Sequence, residues 1–521
     1  MEPLNVSEEV STAVTQALEP QALSSDACDD AVHAVNYPVT RCVEANGTHV
    51  CMVPGLLFCA MLATFFTNLQ PVPICSVLAP LCTLVLAEKM ARVGRFICAL
   101  LPMGLAFGLS TYGYLFEASF VIGILLYLTL AGAFLAHGII LRRHPDTALS
   151  LLAFPCMHVS VFVLVMYVTP IGSVGNPAYS VTSLTFLVQI ATIFGRNGVT
   201  FLLDWTAACL AHTIVVGVQH PVAKRSLRSC SLVWLLSLLF GALRFYSPHL
   251  FVDIRDWDGA IAENSHQMSC VSGLADMFQQ TEKRLAAGDT VVIHSERATS
   301  SWLDENNLTD SYGELLQSNY VKRGVEAVAV LCFKWQGKTW YHLVSRKGSL
   351  MRYAKNHPVP LVETDIAGGD FPPSVVSVPL GRPSGSRSPV SVTGSICFDT
   401  DFPWLTRWLS GADLFLETSA TWFNIGEEHF QGHLFTAIEN GVTLVKCTQD
   451  GVTGVFDALG SVLFRFPQTT GVSVFSVPRF QRVVAFPIGG YVFDAVVCLA
   501  SLFWLVLCIS PAASRCVLPC H

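Results

Sequence analysis

The feature that most constrains this chain is a series of apolar runs almost free of charge. They fall at about 51 to 68, 71 to 87, 96 to 115, 118 to 141, 149 to 169, 198 to 218 and 228 to 246, with an eighth, after a long gap, at about 487 to 510. Roughly 20 apolar residues cross the roughly 30 Å of bilayer hydrocarbon. Seven runs in series, with short connections and no alternating strand pattern, read as membrane helices rather than buried core helices. The first two are short, split by Asn68-Leu69-Gln70-Pro71, and could instead form one broken hairpin. Only 13% of residues are charged, against about 25% in soluble globular proteins. The deficit is uneven, because 250 to 480 has ordinary globular polarity. The chain is therefore built for two solvents.

Basic residues cluster in alternate connections: Lys89, Arg92 and Arg95, then Arg142 and Arg143, then Lys224, Arg225 and Arg228. Those loops are expected on the cytosolic side, which puts the polar domain outside the cytoplasm and both termini in the cytosol. The sequons at Asn5 and Asn46 would then stay unglycosylated. Residues 1–50 hold six acidic residues between Glu8 and Asp30 and no span-length apolar run. They read as a disordered acidic tail rather than a signal peptide. A net charge of −7 without a Lys/Arg-rich face argues against a nucleic-acid partner. Asp204 and Asp494 interrupt apolar stretches; the plainer expectation is that they lie near span ends, in contact with water or headgroups.

Of eighteen cysteines, most lie in or beside apolar runs and read as small buried residues. Cys270, Cys332, Cys397 and Cys447 fall in the polar domain without CxxC or Cys/His spacing, so no metal site is expected. There, short β-branched runs (Thr290 to Ile293, Ala327 to Leu331, Trp340 to Val344, Ser391 to Phe398, Leu414 to Leu416, Val442 to Val445, Val472 to Val477) alternate with helix-like segments such as Leu274 to Ala287, Trp404 to Leu409 and Glu427 to Asn440. That mixture predicts an α/β sandwich. Chemistry-bearing residues sit where strands end: Glu296 after Thr290-Val-Val-Ile-His-Ser, Cys397 after Val392-Thr-Gly-Ser-Ile, and Lys355 beyond a hairpin turning at Lys347-Gly348. Alone, a strand-end cysteine is more often inert packing than a nucleophile.

The order Glu, Lys, Cys resembles the nitrilase (carbon-nitrogen hydrolase) superfamily, and its combination with seven spans and a closing eighth resembles the apolipoprotein N-acyltransferase family. The pieces that carry the resemblance are Tyr353-Ala-Lys355-Asn-His357-Pro-Val-Pro-Leu-Val-Glu363 and Ile396-Cys397-Phe398-Asp399. Further matches are Ala420-Thr-Trp422-Phe423 before His429-Phe430, then Glu439, Asp450-Gly-Val-Thr453, and Gln189-Ile-Ala followed by Gly195 and Gly198-Val-Thr-Phe201. The chain departs from the family at His294-Ser295-Glu296, where the family has Trp-Pro-Glu, and at Pro358 to Glu363, where aromatic and glycine residues are lost near Leu361 and Val362. The family's opening strand is not recognisable between Val252 and Gln267.

The resemblance implies a polytopic α-helical membrane domain (51–246), an extracytoplasmic nitrilase-like αββα catalytic domain (248–480), a closing helix (487–510) and a short cytosolic tail (511–521). It also implies a reaction. Glu296 would act as general base on Cys397, whose thiolate attacks a membrane phospholipid ester to give a thioester. Lys355 and a backbone N–H near Phe398 would stabilise the oxyanion, Glu363 would orient Lys355 or assist proton transfer, and an amine on a lipidated protein or another acceptor would take the acyl chain. A lysine beside the thiol is expected to lower its pKa. No cofactor is implied, and a monomer is expected. Two alternatives stay open at this point: a membrane-anchored amidase, with water replacing the amine, and a decayed nitrilase scaffold without activity.

Overall fold

The computed structural model describes residues 49–68, 72–89, 93–112, 116–144, 146–247, 250–251, 266–273, 276–296, 305–380, 389–409, 411–421, 425–468, 471–477 and 483–509. The acidic tail with its sequons, the C-terminal tail, the Leu69-Gln70 connection, most of Val252 to Gln267, and Trp422-Phe423 lie outside these residues.

Each apolar run is a helix. In chain order they are α1 (His49–Asn68), α2 (Cys75–Lys89), α3 (Val93–Ser110), α4 (Ala118–Arg143), α5 (Ala153–Val168), α6 (Ala191–Val216) and α7 (Pro221–Tyr246), with a last one at Pro487–Ile509. The first two runs are thus separate helices. Among the described residues five helical stretches are long and apolar enough to cross a membrane: Ala118–Arg143, Ala148–Val168, Ala191–Val216, Pro221–Tyr246 and Pro487–Ile509. The first three helices have shorter apolar windows, and each carries an internal proline, Pro54, Pro80 or Pro102. Such a proline removes one helix hydrogen bond and bends or weakens the turn before it. Helix α6 starts seven residues earlier than its apolar run because its first turn is a separate piece, broken at Gly195 (φ 67°). A Cβ there would lie 2.3 Å from the Arg407 guanidinium. The break and the approach of the second domain therefore need the same glycine.

The polar domain is a sandwich of two six-stranded mixed sheets. Sheet one runs β12-β1-β2-β3-β4-β5 and sheet two β11-β10-β9-β8-β7-β6. The strands are β1 (His266–Ser272), β2 (Val291–His294), β3 (Val328–Trp335), β4 (Lys338–Ser345), β5 (Gly348–Ala354), β6 (Val376–Val378), β7 (Val390–Ile396), β8 (Leu414–Ala420), β9 (Thr443–Gln449), β10 (Gly451–Phe456), β11 (Val462–Gln468) and β12 (Gly471–Val477). The centre of each sheet is parallel: β1, β2 and β3 in one, β7, β8 and β9 in the other. Between them lies a dry core that includes Val291, Ile293, Val330, Leu343, Val392, Leu414, Leu416 and Val445. Each such side chain contributes about 1.5–3 kcal/mol on burial.

Helices α8 (Met277–Ala287) and α9 (Glu305–Arg323) cover the outer face of sheet one through Met277, Leu285, Leu308, Tyr312 and Leu316. Helix α10 (Ile425–Asn440) covers sheet two through Phe430, Leu434, Phe435 and Ile438. The architecture is αββα joined to a membrane-helix domain, as the sequence predicts. Gly394 permits close inter-sheet packing, since a Cβ there would lie 2.2 Å from the Tyr341 hydroxyl, which reaches across the core to bond Leu416 O at 3.2 Å.

Three features were not read from the sequence. The opening strand exists, at His266–Ser272, but its polar composition hides it. Cys270 on β1 and Cys447 on β9 form a disulfide that links the two sheets. Asp204 and Asp494 do not lie in contact with water: both are buried, Asp204 against His158 (2.7 Å) and Asp494 against Arg407 (3.1 Å) and Asn197 (2.8 Å). The two domains are joined by this polar seam. Arg196, at the start of the second piece of α6, bonds Glu439 of α10 through both its backbone N–H (2.6 Å) and its guanidinium (3.1 Å).

Candidate functional site

Glu296 follows β2 by two residues and is fixed from both ends by β8. Its N–H donates to Ser419 O (3.1 Å), and its Oε2 accepts from the Ala420 N–H (3.2 Å). Lys355 leaves β5 with its N–H on Thr339 O (2.8 Å). Its ammonium donates to Glu296 Oε1 (2.8 Å) and lies 2.8 Å from Glu363 Oε2. Glu363 closes a tight turn, its N–H on Val359 O (2.9 Å) and its Oε2 accepting from Val359 N–H (2.7 Å). Cys397 opens the turn Cys397–Asp401 directly after β7, with φ at 47°. A non-glycine residue in the left-handed region costs about 1–3 kcal/mol, and such strain clusters at functional sites. Its Sγ lies 3.7 Å from Ala420 O, so one residue, Ala420, touches both the thiol and the Glu296 carboxylate.

All four side chains are buried. Two carboxylates thus share one ammonium beside a thiol. Burial opposes the charge on Lys355, but Glu296, Cys397 and Glu363 outweigh it and hold the lysine well above its usual range. For Cys397 the balance is reversed: burial and then Glu296 push the thiol well up, and the pull of Lys355 and Lys446 does not offset them. The neighbouring lysine does pull the thiol down as expected, but burial and Glu296 outweigh it. The direction of that shift favours the protonated thiol, so attack by the sulfur calls for a base.

The structure brings together Glu296, Lys355, Glu363 and Cys397, and buries Phe398 against Phe402 and Val359 next to them. It also explains why two separate motifs occur together. Asp399, two residues after the thiol, accepts the N–H groups of Asn356 (3.0 Å) and His357 (2.7 Å), and the His357 ring stacks on Phe402 at 3.6 Å. The Lys355 loop and the Cys397 turn are one hydrogen-bonded unit. Sequence reasoning missed the roles of Asp399 and Ala420, although both lie within the quoted motifs.

Behind the Cys397 turn lies a second buried cluster. Lys446 reaches both oxygens of Glu417 (3.0 Å each), Ser419 (3.3 Å) and His429 Nδ1 (3.1 Å). His433 lies 3.3 Å from Glu417 and 2.9 Å from Thr400, whose hydroxyl donates to Cys397 O at 2.7 Å. Glu417, His429 and His433 are close enough to share a metal ion. The Lys446 ammonium, however, already supplies the positive charge at that point.

On the membrane side, Phe398, Val359 and Val362 pack with Ile122, Ile171 and Val174 of the helical domain. Those last three residues also line an apolar cavity of about 230 Å³ between α3, α4 and α5.

A fold of this kind and a buried thiol–carboxylate–ammonium group define a polytopic membrane protein whose soluble half is an αββα sandwich with a candidate nucleophile at a strand end. In sequence the chain is similar to a curated apolipoprotein N-acyltransferase from Geobacter metallireducens, 24% identical over 379 residues that span 64% of this chain and 69% of that protein. Among solved structures, a mutant of the Nesterenkonia AN1 amidase of the nitrilase superfamily superposes with a TM-score of 0.35 at 18% identity, covering 47% of this chain and 100% of that one. A CN-hydrolase superfamily protein from Xanthomonas campestris does so with 0.31 at 17%, covering 41% and 91%. No family profile matches the chain.

Proposed function

We propose that this chain is a membrane N-acyltransferase, passing an acyl chain from a phospholipid through a Cys397 thioester to an amine. The observation that carries the reading is that Phe398, Val359 and Val362, beside the buried thiol, pack with Ile122, Ile171 and Val174, which line an apolar cavity inside the helical domain; we read that cavity as the place of a hydrocarbon chain whose ester reaches toward Cys397. Glu296 takes the thiol proton as Sγ attacks the ester carbonyl. Lys355, with a backbone N–H near Phe398, stabilises the oxyanion, typically worth about 3–4 kcal/mol. As the intermediate collapses, Glu296 returns the proton to the departing lysophospholipid oxygen. An amine then attacks the thioester, its proton passes to Glu296, and the sulfur leaves and is reprotonated. Glu363 holds Lys355 in place.

The domain plan we adopt has a cytosolic tail to residue 50, a membrane domain at 51–246, a catalytic domain at 248–480 outside the cytoplasm and a closing span at 487–510. Two observations favour that orientation. Arg143, in a basic connection, donates to Leu507 O (2.9 Å) and Cys508 O (2.6 Å) at the end of the last helix, so the basic end of the bundle and the C-terminus share a side. The Cys270–Cys447 disulfide in the sandwich suits an oxidising compartment.

Incubating the full chain with a labelled phospholipid and measuring its intact mass tests the reading. An acyl adduct is expected that maps to Cys397 and passes to an added amine as an amide. No adduct would overturn acyl transfer, and label released only as free acid would make the protein a hydrolase.

A further inference from the structure

The helical half contains a buried ionisable pair that acyl transfer does not use. His158 on α5 and Asp204 on α6 meet through Nδ1 and Oδ2 at 2.7 Å. Asp204 is 1% exposed, yet its other oxygen, Oδ1, has no hydrogen-bond partner among the described residues. Both residues line a cavity of about 40 Å³ bordered also by α1, α2 and α4. One water-sized group needs about 10–15 Å³ of such space, so only a very small ligand fits.

The remaining polar wall is made of hydroxyls whose hydrogens are already committed. Tyr127 donates to Thr64 (3.2 Å), which occupies that oxygen, and Thr64 donates to Ala60 O (2.8 Å), Thr67 to Ala63 O (2.7 Å), Thr83 to Ala79 O (2.7 Å) and Ser76 to Pro73 O (2.7 Å). A hydroxyl has one hydrogen and two lone pairs. With the hydrogen spent on a helix carbonyl, the oxygen faces its surroundings as an acceptor. No lysine or arginine lines the cavity among the described residues. His158 is packed among Phe154 (5.0 Å, stacked), Phe162 (5.2 Å) and Phe134 (6.1 Å).

A wall of oxygen acceptors around a half-satisfied carboxylate calls for a partner that brings positive charge. Oxygen donors select hard cations, a single carboxylate balances one charge, and the volume selects a small, dehydrated ion. We propose that this cavity binds a small monovalent cation of the Na⁺ class, held by Asp204 with the hydroxyl oxygens of Thr67 and Thr83. Bound there, the ion ties the proline-interrupted helices α1 and α2 to α5 and α6. The site stands independently of the acyl-transfer reading.

The test is thermal unfolding of the full chain in a non-ionic detergent, in NaCl, LiCl or choline chloride at equal ionic strength. Na⁺ is expected to raise Tm saturably over choline by a few degrees, as a ligand specific to the native state does. Asp204→Asn is expected to abolish the increment, and Thr83→Val to raise the half-saturating Na⁺ concentration roughly tenfold, the loss of one contact to a charged group. Equal Tm in all three salts overturns the site, as does an undiminished Na⁺ increment in Asp204→Asn. If Asp204→Asn does not fold, Thr83→Val and Thr67→Val decide: half-saturation unchanged in both overturns the proposal.

Discussion

Two lysines are buried in the same sandwich, and they differ in what surrounds them. Lys446 on β9 is saturated: Glu417 takes it with both oxygens, and Ser419 and His429 complete its neighbours. Lys355, past the end of β5, is shared by two carboxylates from different parts of the chain, and the thiol of Cys397 feels its charge more than that of Lys446. The first arrangement is closed and braces the Cys397 turn through His433 and Thr400. The second keeps a surplus of negative charge beside the candidate nucleophile. Burial of a lysine is therefore no guide to its role. The number and kind of its acceptors are.

The sharpest way to break this comparison is at the nucleophile. Cys397→Ala is expected to abolish the acyl adduct in intact mass, while Cys332→Ala leaves it, because Cys332 lies in the middle of β3 and Cys397 in the turn beside Glu296 and Lys355. Next, Lys355→Ala should slow single-turnover acylation by a factor of about 100 or more, whereas Lys446→Met should mainly cost stability, about 3–5 kcal/mol for a broken buried pair. The double variant Lys446→Met/Glu417→Leu should regain much of that stability in denaturant titration, since replacing both partners removes the uncompensated charge. If instead Lys446→Met retains its Tm and loses acylation, the two lysines exchange roles.

A smaller effect separates Glu363 from a bystander carboxylate. Glu363→Ala should slow acylation by misplacing Lys355, and the double variant with Lys355→Ala should be far less than multiplicatively worse. Fully multiplicative losses would mean the two residues act independently.

The smallest effect concerns acid. Burial pushes Glu417 up, but Lys446 and His433 outweigh it and hold it down at about 2, against about 4.3 in an unfolded chain. Its contribution to stability is complete above the unfolded value and is lost as pH falls from there toward 2. Tm measured between pH 5 and pH 3 should fall less steeply in Glu417→Gln than in the unsubstituted protein. Parallel slopes would remove Glu417 from the acid response.

The sequence alone determined what depends on local pattern. The eight apolar runs are helices because twenty-residue apolar stretches have no better solution in either solvent, and the β-branched runs are strands. Glu296, Lys355 and Cys397 stand where readable strands end, but only the family resemblance singled them out, with Glu363, as site candidates. What stayed hidden depends on partners distant in the chain. The opening strand His266–Ser272 is too polar to read alone and exists because β2 and β12 flank it. The Cys270–Cys447 bridge joins residues 177 apart. Asp204 and Asp494 look like residues at wet span ends until His158 and Arg407 are found beside them. The direction of the Cys397 shift was likewise decided by tertiary structure. A motif can bring a lysine to a thiol, but how much water the fold removes and how many carboxylates it adds determine which charge wins.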